Sequence, residues 1–415
     1  MSRAPLRVAV LGAGTVGREV IRAFSRTPER LAPADGAPLV LVGVAVRDLG
    51  RPRELLVDAD RLTDAPAHLV ASPEVDVVVE LMGGDEPART LVSAALAAGK
   101  AGVTANKHIV AHHGPELEAV ARRMGVPFRF EAAVGGGIPV LRPIAEDLAA
   151  DRIDGVRGIV NGTTNLILTA MTDERRAYAD VLATAQAAGY AEADPRGDVE
   201  GDDAVNKLVI LARLAFGAWL DPATIERRPP TVAGPGRPGI TGVTADEIAA
   251  AAVHGLTLKL LASAERSADG TIVAGVIPTA VPADGALGRT AGILNRIEVE
   301  GEPIGRVAFS GPGAGGGATS SAVLGDLIAV ARHDASTWAG LAPAVGPASV
   351  ATSPEGVPRR RFFASTLPEQ LVRDQVEIEA ARGGGFITAA LPLDELRAGL
   401  SAAGVEATLY PVDDR

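Results

Sequence analysis

Apolar positions along this chain come in two textures. Short, nearly unbroken apolar runs occur at residues 6–11 (LRVAVL), 39–46 (LVLVGVAV), 75–81 (VDVVVEL) and 100–103 (KAGV). Between them, apolar residues recur at helical spacing, as at Val20, Ile21 and Phe24, or fall in an alanine-rich segment at 86–98. Runs of this length between helical segments predict strands buried on both faces, as in an open parallel sheet. One more short strand is expected at 127–130, and from Pro139 the pattern changes. A helix to about residue 149, a strand at 152–160, a helix after Asn165 and strands at 256–264, 271–278 and 293–300 predict an α+β domain with a mixed sheet. Residues 227–242, dense in proline and glycine, predict a surface loop. A helix is expected at about 319–331. Past His333, a loop to Pro358, strands at 361–363, 375–379, 386–390 and 406–410 and a helix at 393–403 predict a small βαβ piece.

At 415 residues the chain has room for two or three domains that each bury a core. A 47% hydrophobic content and a positive mean hydropathy argue against disorder. No apolar run approaches the ~20 residues of a membrane helix, and the first strand begins too early to leave room for a signal peptide. A cytoplasmic protein without a membrane partner is expected. The formal net charge of −11 disfavours nucleic acid as a partner. The chain has no cysteine, which excludes disulfides, thiolate zinc sites, iron–sulfur clusters and thiohemiacetal chemistry on an aldehyde.

The candidate chemistry sits at the ends of these elements. Gly12-Ala13-Gly14-Thr15-Val16-Gly17 is a G-x-G-x-x-G run between the first strand and the first helix. In that context glycine backbone lets a pyrophosphate approach a helix N-terminus; elsewhere the same run is only a tight turn. The second strand leads to Arg47 and then Asp48. Sites that prefer NAD place an acid there for the ribose 2′-hydroxyl, whereas a guanidinium fork suits a 2′-phosphate, so NADP is favoured and Asp48 keeps NAD open. Met82-Gly83-Gly84 offers a loop over the cofactor. Lys107 follows a strand at its carboxyl end, the edge where open parallel sheets bind ligands; it is either a cation beside the nicotinamide or a plain helix-start lysine. The turn from Glu131 to Ile138 is rich in glycine. Its carbonyls, with the Glu131 side chain, offer oxygen ligands to a hard monovalent cation, although alone it reads as a domain-crossing turn. Gly311 to Gly317 is a second glycine-rich turn, able to approach the cofactor from the other side.

The densest chemistry lies at residues 190–211 (YAEADPRGDVEGDDAVNKLVIL). Glu192, Asp194, Asp198, Glu200, Asp202 and Asp203 precede Lys207. Pro195, Gly197 and Gly201 predict a loop, and Asp202 or Asp203 a cap for a helix whose apolar face starts at Ala204. Asp203 and Lys207, four apart, share a face of that helix. By itself the pair is an ordinary surface ion pair worth a few tenths of a kcal/mol, roughly. The histidines lack ligand spacing, so no metal is assigned to them.

Taken in order, the N-terminal glycine run, Thr104-Ala105-Asn106-Lys107, Glu131 with its glycines, Asn161-Gly162-Thr163-Thr164-Asn165, the acidic block through Lys207 and Gly311-Pro312-Gly313-Ala314-Gly315 resemble homoserine dehydrogenase, from residue 6 to about 330. The resemblance implies a Rossmann-type dinucleotide-binding domain (1–138 and 311–335) and a substrate-binding, catalytic and dimerisation domain (139–310) that forms a homodimer. It implies NAD(P)H-dependent reduction of L-aspartate 4-semialdehyde to L-homoserine, on the route to threonine, isoleucine and methionine. Lys207 resembles the catalytic lysine, with Asp203 beside it. Glu192 and Asp198 resemble the acids that hold the substrate's amino end, Gly162 and Thr163 fall at substrate-binding positions, and Lys107 resembles a lysine that bridges cofactor and substrate. Gly12, Gly14, Thr15, Val16, Gly17, Arg47, Thr104 and Gly311 fall at cofactor-binding positions, and Glu131, Val134, Gly136 and Ile138 match those that bind a sodium ion. The chemistry is coherent: hydride addition to an aldehyde leaves an alkoxide, which a positioned ammonium stabilises and protonates.

The resemblance weakens in the tail, residues 336–415. Many members of the family end in an ACT domain with an aspartate and a proline–glycine turn after its first strand. Here Arg361-Phe362-Phe363 leads into Ala364-Ser365-Thr366-Leu367-Pro368 without that turn, so the tail reads as a degenerate or shortened ACT-like domain and feedback inhibition by threonine does not carry over. Two other readings share the architecture: an amino-acid dehydrogenase acting on an imine, and a non-catalytic nucleotide sensor.

Overall fold

The structure, a computed structural model, describes residues 3–51, 57–267, 269–338, 340–344, 347–348, 360–365 and 375–414. The chain divides into two compact units. The first comprises Met1–Arg152, Val209–Trp219 and Gly311–Ala348; the second comprises Ile153–Leu208, Leu220–Ser310 and Ser349–Arg415.

In the first unit the elements run β1 (Leu6–Leu11), α1 (Thr15–Arg26), β2 (Leu39–Ala45), β3 (Leu62–Thr63), α2 (Pro66–Ala71), β4 (Val77–Glu80), α3 (Ala88–Ala97), β5 (Ala101–Thr104), α4 (Lys107–Met124) and β6 (Phe128–Arg129). The six strands form a parallel sheet in the order β3-β2-β1-β4-β5-β6. That is the Rossmann-type order, whose direction of winding reverses beside β1. Alternate residues of β1 explain why the runs read as continuously apolar. Val8 and Val10 enter one core with Ile21 of α1 and with Val323 and Leu327 of the late helix Gly316–Ala331, while Ala9 and Leu11 enter another with Val70, Leu91 and Ala95.

Two glycines of the β1–α1 turn are required by geometry. Gly12 has φ +104°, which L side chains rarely adopt, and a Cβ on Gly17 would stand 2.1 Å from the Gly12 carbonyl oxygen. Further along, the buried carboxylate of Glu118 on α4 accepts from Arg213 (2.7 and 3.0 Å) and from the Trp219 indole (2.8 Å). A Cβ on Gly114, one turn earlier, would meet the Trp219 ring at 2.4 Å.

The helix expected from Pro139 to about 149 is shorter, 141–147, two α-helical residues running into a five-residue π turn at Pro143–Asp147. Pro143 brings no N–H, and the Leu148 amide reaches back five residues to the Pro143 carbonyl (2.9 Å).

The second unit continues with β7 (Arg152–Ile159), α5 (Gly162–Glu174), α6 (Tyr178–Ala187), α7 (Arg196–Val199) and α8 (Asp202–Phe216), whose last turns belong to the first unit. Next come the short strands β8 (Trp219–Leu220), β9 (Pro230–Thr231) and β10 (Gly234–Pro235), then α9 (Ala245–Val253), β11 (Leu256–Arg266), β12 (Ile272–Pro282), β13 (Leu294–Glu302) and β14 (Gly305–Pro312). A five-stranded sheet has the order β12-β11-β7-β13-β14, with β11 antiparallel to both β12 and β7.

Three expectations change here. The proline- and glycine-rich loop carries the antiparallel pair β9–β10, closed by the Thr231 hydroxyl on Gly234. The loop before Lys207 contains one helical turn, α7, which Pro195 starts and which spans Gly197. Strand β14 goes unannounced in the sequence, because its residues are partly to fully exposed and its alternation is short, with Val307 and Phe309 half-buried and Ala308 exposed between them.

After α10 (the helix Gly316–Ala331) and β15 (Pro347–Ala348), the described part of the tail contains β16 (Phe362–Ser365), β17 (Ile378–Arg382), β18 (Gly385–Thr388), α11 (Leu393–Ala402) and β19 (Tyr410–Pro411). The sheet order is β17-β18-β16-β19. Both β18 and β19 run antiparallel to β16. They are therefore parallel to each other, and the expected βαβ piece is a split unit with β16 between its two strands. Leu396, Leu400, Val405 and Leu409 close its core against Phe362 and Phe386. Most of the loop expected to end at Pro358, and Thr366, Leu367 and Pro368 of the tail motif, lie outside the described residues. No helix among the described residues is long and apolar enough to cross a membrane.

Candidate active site

Beside the carboxyl ends of β1, β2 and β4 the first unit holds a cavity of about 740 Å³. Gly12, Gly14 and Thr15 form one wall, Val46 and Arg47 a second, and Met82, Gly83 and Glu86 a third. Gly14 caps α1 without a side chain, and the first turn carries no acid, so its leading amides remain available to an anion. Arg18 and Arg51 line the cavity together with Arg47. Only Arg47 stands out in the sequence; Arg18 reads there as an outward helix residue and Arg51 as part of a loop.

The other expected cofactor residues sit around these walls. Gly17 lies under the turn, and Val16 packs against the apolar core. The Thr104 hydroxyl is fully buried and donates to Glu80 (2.6 Å), whose other oxygen accepts from the Met82 and Gly83 amides (2.7 and 3.1 Å). Thr104 thus acts through Glu80 as a brace for the loop over the cavity. Glu80 escapes sequence reading because it looks like a lone polar interruption of a buried strand. Lys107 is the first residue of α4. Its neighbour Asn106 caps that helix and donates to the Gly84 carbonyl (2.7 Å), tying the same loop down from the other side. Gly311, at the end of β14, packs on Ile138.

The glycine-rich turn after β6 corrects one expectation. The Glu131 carboxylate is not available to a cation, because it accepts from the Val140 and Leu141 amides (2.8 and 2.9 Å) through one oxygen and from the Arg142 amide (2.9 Å) through the other. Burial, and then the nearby Asp326, push its pKa up. The carbonyls of Val134, Gly136 and Ile138 behave differently. These residues are buried, and among the described residues none of the three carbonyls accepts a hydrogen bond. No group of three or more His, Asp or Glu side chains among the described residues is placed to hold a metal ion.

The acid–lysine cluster belongs to the second unit. Gly201 (φ +96°) ends the loop, and Asp202 and Asp203 are the first two residues of α8 rather than its cap, with their charge at the positive end of the helix dipole. Asp202 pairs with Arg227. The Lys207 amine is buried and donates to Asp203 Oδ2 (2.7 Å) and to the Val160 carbonyl at the end of β7 (2.6 Å). An ammonium has three N–H groups, so one is left over among the described residues. Asn161 joins the pieces. Its oxygen caps α5 at Thr164, and its amide donates to Asp198 (2.7 Å) and to the Asp203 oxygen that Lys207 also uses (2.8 Å). The sequence names Asn161 only as part of a motif; its bridging role needs β7, α5, α7 and α8 in space.

Gly162 opens α5, and the Thr163 hydroxyl donates to the Tyr190 carbonyl (3.2 Å). The Glu192 side chain is exposed, and among the described residues it is the Glu192 carbonyl that is engaged, by Gln186 (2.9 Å).

Comparisons with known proteins cover residues of both units. Residues 12–131 match the model for the NAD binding domain of homoserine dehydrogenase, and residues 139–328 match the model for homoserine dehydrogenase itself. The chain belongs to the homoserine dehydrogenase family. The homoserine dehydrogenase of Mycobacterium tuberculosis is 46% identical over 337 residues, covering 79% of this chain and 73% of that protein. The homoserine dehydrogenase structure from Thiobacillus denitrificans superposes with a TM-score of 0.87 at 32% identity, covering 100% and 99% of the two chains. A hyperthermophilic archaeal homoserine dehydrogenase in complex with NADPH superposes with a TM-score of 0.64 at 25% identity, covering 78% of this chain and 97% of that one. As a homoserine dehydrogenase the chain is an NAD(P)-dependent oxidoreductase acting on a small molecule, which sets aside the sensor and the imine-reducing enzyme.

Proposed function

We propose that this homoserine dehydrogenase prefers NADP and uses Lys207 as the proton donor and acceptor at the substrate oxygen. A bound nicotinamide would supply hydride to the aldehyde carbon, or accept it from the same carbon of the alcohol in the reverse direction. As the carbonyl oxygen gains charge, the remaining N–H of Lys207 points the proton at it, and Asp203 and the Val160 carbonyl keep the amine from turning away. Asp198, held by Asn161, takes the ammonium end of the substrate together with Glu192; Gly162 and Thr163 border it, and Lys107 takes its carboxylate. The observation that carries this reading is the partly buried Lys207–Asp203–Asn161–Asp198 chain of hydrogen bonds.

The preference for NADP rests on Arg47, Arg18 and Arg51 along one cavity, since a guanidinium fork matches a 2′-phosphate. Thr15, Val16 and Gly17 supply helix-start backbone for the pyrophosphate, with Thr104, Lys107 and Gly311 completing the cofactor site. A sodium ion fits the carbonyls of Val134, Gly136 and Ile138, with the Glu131 carbonyl rather than its carboxylate as the fourth oxygen; it would order this turn beside the cavity-bearing sheet. A homodimer and a cytoplasmic address complete the proposal, the former supported by the exposed edge strand β14 of the second unit's sheet. The strand order of the tail supports an ACT-like fold.

Initial rates with L-aspartate 4-semialdehyde test the reading. NADPH should give a kcat/KM at least about ten times that of NADH, since a lost charge-assisted contact costs on the order of 1.5–3 kcal/mol. Oxaloacetate with ammonia should give no turnover. Equal rates with the two cofactors would remove the arginine argument, and turnover of the imine mixture would remove the substrate assignment.

A further inference from the structure

One buried cation has no place in the chemistry above. Lys259, on β11, is 3% exposed, and its amine donates to Asn165 Oδ1 (3.0 Å) and to the Thr290 carbonyl (2.8 Å). Asn165 lies in the first turns of α5, and its own amide donates to the Thr290 and Leu294 carbonyls (3.2 and 3.1 Å). The turn between Thr290 and Leu294 is also held by the Gly292 amide on the Thr169 hydroxyl (3.2 Å). Gly162, the opening residue of α5, is seated on the same turn, because a Cβ there would stand 2.9 Å from the Ile293 carbonyl oxygen. Asn161, immediately before it, carries the bonds to Asp198 and Asp203.

We propose that Lys259 is a positioning residue for the substrate end of the active site: through Asn165 and Thr290 it clamps the first turn of α5, and so sets where Asn161, Gly162 and Thr163 stand. The inference rests on the reading of Asp198, Asp203 and Lys207 as substrate and proton-transfer residues. The donor count supports it. Two acceptors take two of the three hydrogens of the ammonium, and Lys259 has no carboxylate within hydrogen-bond reach among the described residues, so the side chain does not serve as half of a hydrogen-bonded ion pair. Burying an amine is unfavourable unless its hydrogen bonds are made. What it provides here is two donors at the junction of β11, α5 and the 290–294 turn. Desolvation pulls its pKa down to about 8, with Asp173 opposing, which agrees with an amine that gives up its third hydrogen readily.

The test is a KM-against-kcat split in the full chain, with Lys259→Met, which keeps the length and removes the donors, and Lys259→Gln, which keeps two N–H donors. In Lys259→Met the KM for aspartate semialdehyde should rise at least about tenfold while the KM for NADPH stays within about twofold, and Lys259→Gln should recover part of the loss. Asn165→Ala should give a similar rise, and the double variant should be no worse than the poorer single one, because both remove the same clamp. A lower melting temperature with unchanged KM values would overturn the proposal, as would equal rises in both KM values or fully multiplicative single effects. Amide hydrogen exchange at residues 161–166 and 290–294 reads the clamp without turnover: faster exchange in Lys259→Met or Asn165→Ala supports it, and unchanged exchange in both overturns it. If Lys207→Ala keeps its turnover, the proton-transfer reading fails while the exchange result still decides the clamp.

Discussion

Lys207 and Lys259 are both buried amines that donate to two acceptors, and their neighbours set them apart. Lys207 shares an oxygen of Asp203 with Asn161, whereas Lys259 meets, among the described residues, a carboxamide and a carbonyl. For Lys259 the sign of the pH effect follows. Its pKa falls from 10.5 to about 8 on folding, chiefly through desolvation. Below pH 8 both folded and unfolded chains hold the proton and the buried charge is a full penalty; between about pH 8 and 10.5 the unfolded chain binds more protons, so stability from this group rises with pH. The full effect is on the order of 3 kcal/mol. Urea unfolding at pH 7.5 and 9.5 should therefore show a larger pH-dependent gain for the native chain than for Lys259→Met. Equal gains in the two chains would mean that the amine titrates at its ordinary value.

At the scale of elements, five of the six strands of the first sheet were legible because they are largely buried, whereas β3, two half-buried residues, left no run to read; the βα turn was legible because Gly12 and Gly17 answer to steric demands that no other residue meets. What could not be read were contacts that join distant segments. Glu80 bracing Thr104 and the loop, Asn161 linking two acids, and Glu131 serving the amides of residues 140–142 all depend on where elements meet in space. The segment from 141 to 147 was legible as helical but not as a π turn, because Ile144, Ala145 and Leu148 sit at plausible helical spacing while Pro143 brings no N–H to the turn it opens. Strand β14 was missed because its inner face, Val307 and Phe309, is only half-buried and the apolar Ala308 between them is exposed. The Glu131 turn yields a prediction of its own. Glu131→Ala leaves three backbone amides without their acceptor, at about 1–3 kcal/mol each, so the unfolding free energy should drop by several kcal/mol, roughly. A loss below about 1 kcal/mol would mean that water or a shifted backbone replaces the carboxylate.

For the molecule as a whole, each unit is assembled from three separate stretches of chain, and α8 begins in one and ends in the other. The arrangement ties the residue proposed for proton transfer to a helix whose far end is fixed by Arg213 on Glu118. Family membership over residues 12–328 states the activity, and the tail adds a split βαβ sheet with its own core. The account turns on Lys207, and single-turnover hydride transfer in Lys207→Ala, followed by nicotinamide absorbance with NADPH and aspartate semialdehyde, measures it directly. The account predicts a rate at least about 100-fold below that of the native chain with the dissociation constant for NADPH within about threefold. A rate within about tenfold of the native one, with the cofactor bound normally, would contradict it.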